Sequence, residues 1–123
     1  MTMIDPVTLS LVRSALDAGM LRQVAHANNI ANVNTAGFKP FAVRFEEGLG
    51  AVRDAIAAGD TAGLSANDIP AARMYVDEAA TAPPSIDSEV AATSENALQY
   101  QALTRALSHQ YALLNLAMTP EAR

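Results

Sequence analysis

The sequence predicts a mainly α-helical chain whose two long terminal helices, residues 6 to 32 and 87 to 118, pack as an antiparallel coiled-coil-like hairpin. Three observations carry this expectation: an apolar stripe of helical period near each end, a capping residue ahead of each stripe, and a block of turn-forming residues between them. Residues 33 to 86 then hold a turn, an extended arm and an irregular middle, and the 123 residues make one domain.

The first helix begins at Asp5-Pro6, a capping carboxylate followed by a proline whose missing N–H is not needed in the first turn. Leu9, Val12, Leu16, Met20 and Val24 then recur at spacings of three and four, and Ala27 and Ala31 continue the row. This stripe is expected to pack on the second long helix. Ala15, Gly19 and Ala27 are small enough to admit a close neighbour, and Gly19 costs the helix about 1 kcal/mol against alanine.

The helix is expected to stop where Asn32, Asn34, Thr35 and Gly37 cluster, since each favours turns or non-helical backbone. Phe41, Val43 and Phe45 alternate with Ala42 and Arg44, the period of an extended arm with one apolar face. Glu46 to Ala58 carries Leu49, Val52 and Ile56 on one side and predicts a short helix ended by Gly59. Residues 59 to 86 contain three prolines and two glycines, with one strand candidate at Arg73 to Asp77 that can pair with the arm as a small hairpin-like ribbon.

Pro83-Pro84-Ser85 closes the middle, and Asp87 or Ser88 is the expected cap of the second long helix. Tyr100, Leu103, Leu107 and Leu114 follow heptad-like spacing and are expected to face the partner helix of the same chain. Leu98, Ala102, Ala106 and Leu113 form a second stripe beside them. A free two-helix hairpin needs one stripe per helix, so the second predicts burial against other chains. A third contact inside the same domain is the alternative.

Composition narrows the function. The apolar half of the chain leans on alanine, with three Phe, three Tyr and no Trp, so little area leaves water per residue and association is the remaining route to stability in a chain without cysteine. A net charge of −5 with the eight Lys and Arg scattered singly argues against nucleic acid as a partner. The longest stretch that is nearly free of charge, Val24 to Gly37, is interrupted by four Asn and does not suit a bilayer. No basic segment followed by an apolar run stands at the start, so no removable signal is expected.

Chemistry-bearing patterns are missing. His26 and His109 lie in different helices with no metal-ligand spacing around them, and each reads as a helix histidine making one hydrogen bond. Glu46-Glu47 is an adjacent carboxylate pair whose members point to different sides of a helix. No nucleophile elbow or phosphate-cradling glycine motif occurs. We expect no catalytic residue, no metal, no cofactor and no small-molecule substrate.

Residues 27 to 47 read Ala-Asn-Asn-Ile-Ala-Asn-Val-Asn-Thr-Ala-Gly-Phe-Lys-Pro-Phe-Ala-Val-Arg-Phe-Glu-Glu. This segment resembles the signature of the flagellar basal-body rod proteins: a long helix ending in Asn-Ile-Ala-Asn, an Asn-Thr-Pro-Gly-Tyr-like turn and an extended arm. Asn29, Ile30, Ala31, Asn32, Asn34, Thr35, Gly37 and Phe38 are the matching positions. Ile86 to Val90, Asn96 and Tyr100 to Leu103 resemble the start of the family's second helix and its Asn-x-x-x-Tyr spacing. Ala36, Phe38 and Pro83-Pro84-Ser85 depart from the usual proline, tyrosine and Gly-Asn-Asn. The Asn side chains are expected to bond backbone groups where the helix unwinds, Gly37 to take positive φ, and Phe38 to pack back on the helix.

The resemblance implies a structural subunit of the rod in the basal body, without enzymatic activity, most like the short proximal members of the family. It implies as partners other rod subunits, the rod base at the MS ring and the flagellar type III export apparatus, in a helical assembly that spans the periplasm and transmits motor torque. Competing readings are a second proximal-rod or hook-related axial protein, and a small helical export chaperone.

Overall fold

A computed structural model describes residues 5–119. Asp5 stands in extended backbone and its carboxylate accepts from the Thr8 amide at 2.8 Å, which caps helix α1, Pro6–Ala31, with Pro6 in its first turn. The helix ends at Asn32, and Gly37 turns the chain with φ 72°, a conformation that costs a residue with a Cβ and that glycine takes freely. Strand β1, Phe41–Arg44, follows. A 3-10 turn at Glu46–Leu49 runs into the short helix α2, Gly50–Ala57, and Gly59 stops it with φ 73°.

Ser65 and Asp68 cap one another's backbone around a second 3-10 turn, Ala66–Asp68, ahead of strand β2, Arg73–Val76. The two strands pair antiparallel with Phe41 opposite Val76 and Arg44 opposite Arg73. The Arg44 guanidinium lies 4.5 Å from the centre of the Tyr75 ring. The expected ribbon between the arm and residues 73 to 77 is therefore present, one residue shorter at each far end. Phe45 leaves the strand and turns into the interior, where it is buried.

The last helix, α3, spans Ile86–Met118, and at 33 residues it is about 50 Å long. Its cap is Ser85 rather than the expected Asp87 or Ser88: the Ser85 hydroxyl accepts from the Ser88 amide at 3.2 Å, while Asp87 and Glu89 lie in the first turn. Ser85 stands in the extended conformation that a cap needs, φ −104° and ψ 141°, directly after Pro83-Pro84.

The core lies along one side of α1. Ala18 and Ala25 are buried there, together with Phe45, Val52 and Ile69 from the arm and the middle. α1 touches α3, both strands and the Ala66–Asp68 turn. Small residues on α1 permit this crowding, and they keep the apolar area buried per residue low.

Candidate assembly surface

The turn is built on Asn29, 1 % exposed on the last turn of α1. Its amide donates to the Phe41 carbonyl at 3.0 Å, and its oxygen accepts from the Phe41 amide at 2.8 Å. One side chain thus satisfies both backbone groups of the first arm residue, on the edge of β1 that β2 does not use. Asn32 donates to the Asn28 carbonyl at 2.9 Å, where the helix leaves carbonyls without partners, and its oxygen accepts from the Thr35 hydroxyl at 3.1 Å. Ile30 is half-buried, whereas Ala31, Asn34, Thr35 and Gly37 are exposed.

Phe38 reaches the helix at one remove. Its ring meets Phe41 edge-on with centroids 6.0 Å apart, and Phe41 is the residue tied to α1 through Asn29. Lys39 donates to the Ala80 carbonyl at 2.7 Å and fastens the turn to the chain beyond β2.

The side of α1 that is buried differs from the expected one. Leu9, Val12 and Leu16 are half-buried, but Met20 is 59 % and Val24 48 % exposed, so the stripe does not pack as an intrachain seam along its whole length. Four residues turn a helix about 40° past a full circle, so the run from Val12 to Val24 rotates by roughly 120° and leaves the contact line. Residues seven apart hold that line: Ala18 and Ala25 toward the core, Gly19 and His26 toward α3. The expected stripe of large aliphatic residues does not contain this line because its members are small or polar; Gly19 is the one among them whose small size predicts a close neighbour, and Tyr100 and Asn96 lie there.

α3 meets this line antiparallel, since Asn96 lies at Gly19 and Glu89 at His26. The buried Asn96 amide donates to the Gly19 carbonyl at 2.9 Å and to the Gln23 side-chain oxygen at 3.3 Å. His26 Nδ1 and the Glu89 carboxylate are 2.7 Å apart in a half-buried pair. Arg22 pairs with Glu46 and joins α1 to the start of the 3-10 turn.

Along α3, Tyr100, Leu103, Leu107 and Leu114 are half-buried. Leu98 is 68 % and Leu113 48 % exposed, and Ala102 and Ala106 are exposed with them. Leu116 and Met118 are exposed near the end of the helix.

An open groove of about 520 Å³ lies between α1, α3 and β1, walled by Arg22, His26, Glu46, Asp77 and Glu89 among others. Its two basic side chains are both engaged with carboxylates of the same wall. Asp5 and Asp68 have carboxyls held below the ordinary range, by the Thr8 amide and hydroxyl and by the Ser65 amide and hydroxyl respectively, and both serve as caps on the surface. Among the described residues no group of His, Cys, Asp and Glu could hold a metal ion, and no helix is long and apolar enough to cross a membrane. The polar groups of this surface bond backbone and one another, which is work of positioning.

Residues 12–39, the greater part of α1 and the turn, match the family model described as flagella basal body rod protein. No curated protein and no solved structure gives a significant match.

Proposed function

We propose, from the match of residues 12–39 to the flagella basal body rod protein family model, that the chain is a structural subunit of the proximal rod, of the FlgB type. Family membership supports a structural role in the basal body and implies a protein that is no enzyme. The finer reading is ours: the chain joins other rod subunits and the rod base at the MS ring in a helical, coiled-coil-like wall that transmits torque. It arrives through the flagellar type III export apparatus and lies where the rod spans the periplasm.

The observation that carries this reading is the row Leu98, Ala102, Ala106 and Leu113, exposed on a helix whose Tyr100, Leu103 and Leu107 side is drawn in. An exposed apolar row on a helix that already has a packed side is a surface for another chain. The row is far from β1 in sequence and on a different element, so an assembled subunit offers neighbours both a helix face and an arm.

Leu113→Asp tests it. At 48 % exposure the carboxylate stays hydrated in the free chain, so helix content by circular dichroism is expected to match the parent. In a packed wall the same carboxylate is buried without a partner, at a cost of several kcal/mol, and the variant is expected to be lost from purified basal bodies. Leu107→Asp, on the half-buried side, is expected to damage both the free chain and incorporation. Wild-type amounts of Leu113→Asp in basal bodies would remove this face from the account, and absence of the parent protein from basal bodies would remove the rod role itself.

A further inference from the structure

We infer that the register of α1 against α3 is selected by one notch and one buried amide: Gly19, which receives the Tyr100 ring, and Asn96, which bonds the backbone of that same glycine. A Cβ added at Gly19 would stand 2.9 Å from Tyr100 Cδ2, closer than packed atoms come, so the ring occupies the place of a side chain. Gly19 is the one glycine in α1, and no other position on that helix offers such a notch. The buried Asn96 amide donates there to the Gly19 carbonyl at 2.9 Å and to Gln23 at 3.3 Å.

The seven-residue spacing of the seam by itself leaves register open. Its members repeat every seven residues on both helices, with Val12, Gly19 and His26 on α1 and Glu89, Asn96 and Leu103 on α3. Sliding one helix by seven therefore keeps the same sides in contact. Gly19 and Asn96 oppose the slide, and the His26–Glu89 pair adds to them. Moved one way, Asn96 comes opposite Val12 and Glu89 opposite Gly19, so the buried amide leaves Gly19 and Gln23 and the carboxylate leaves its histidine. Moved the other way, Asn96 faces His26 and the Tyr100 ring has no glycine beneath it. A buried polar residue in a helix seam acts as a register selector in this manner, at some expense of stability.

A slip of seven residues displaces α3 by roughly 10 Å along α1. The arm is tied to α1 through Asn29, so the row from Leu98 to Leu113 would shift against the arm by the same distance. That consequence for assembly rests on the proposed rod role; the register selection itself concerns the isolated chain.

The test is a distance measurement between spin labels at Asp17→Cys and Ser108→Cys, both exposed, in a chain that has no other cysteine. The parent is expected to give a single narrow distance distribution. Asn96→Leu, which keeps the branched shape and removes the bonds, is expected to retain helix content and add a second population at a different distance; Gly19→Ala, which fills the notch, is expected to broaden the distribution likewise. A single unchanged distribution in both variants would overturn the inference. Loss of helix content in Asn96→Leu would overturn it equally, because Asn96 would then be a stabilising residue and no selector. Neither outcome depends on incorporation into basal bodies.

Discussion

Asn29 holds Phe41, twelve positions further along the chain, by both of its backbone groups, at 3.0 and 2.8 Å. The bonds make the end of α1 and the start of the arm one unit. They also set the direction in which the chain leaves the helix, since β1 can pair with β2 only on its other edge. Asn29→Ala leaves a part-buried amide and carbonyl of Phe41 without partners and opens a small cavity. An unsatisfied buried group costs about 1–3 kcal/mol, so urea unfolding is expected to show a loss of that order. A loss within experimental error would mean that water replaces the side chain and that the arm is directed by its other contacts.

Gly37 is open to solvent and has φ 72°, so the effect of a substitution there is conformational. Gly37→Val is expected to destabilise by about 1–2 kcal/mol or more, because a β-branched residue is strained at positive φ. Gly37→Asn is expected to be milder, since asparagine tolerates this region. Gly63→Ala, also in open space and with no positive φ, is the control and is expected to be near neutral. Swimming assays on the same variants would show whether the turn matters to the proposed rod assembly, and equal motility of Gly37→Val and the parent would make Gly37 an ordinary loop residue.

The two sides of α1 respond in opposite ways. Ala18 is fully buried, and Ala18→Leu forces extra methylenes into a packed contact at a cost of about 1–3 kcal/mol. Met20→Gln, on the exposed flank, is expected to change stability by no more than about 0.5 kcal/mol. Thermal unfolding of the two variants separates them. A destabilised Met20→Gln in the monomer would restore the packed stripe that the structure removes.

Asp5 gives the acid response of the first helix. The Thr8 amide and hydroxyl donate to its carboxylate at 2.8 and 2.7 Å and hold its pKa below the ordinary 3.8. A carboxyl depressed in the folded state binds its proton less readily there than in the unfolded chain, so its stabilising contribution is complete above pH 3.8 and is lost as the pH falls through the lower folded value. Asp5→Asn keeps the capping oxygen and does not titrate. Circular dichroism from neutral pH down through this window is expected to show a smaller acid-induced loss of helix for Asp5→Asn than for the parent. Identical acid curves would assign the loss to other carboxylates.

Both long helices, the turn at Gly37 and the short antiparallel pair were legible in the sequence, because each is dictated locally. Asp5-Pro6 starts a helix by hydrogen bonding and fixed φ, the Asn and Gly residues end it, and alternation marks the arm. Which side of α1 meets which neighbour was decided only by the tertiary structure. Met20 and Val24 are larger and more apolar than Ala18, Gly19 and Ala25, and one-dimensional patterning ranks residues by apolarity. In the fold, α3 and the arm both crowd against α1, and close approach selects the smallest side chains. The same proximity turned Asn96 and Glu89 into seam residues: their partners at Gly19, Gln23 and His26 are more than sixty positions away, and no local pattern records a bond over that distance. The sequence by itself thus determined where helices and turn begin and end, while the packing of two neighbours onto one thin helix determined which of its sides would be buried.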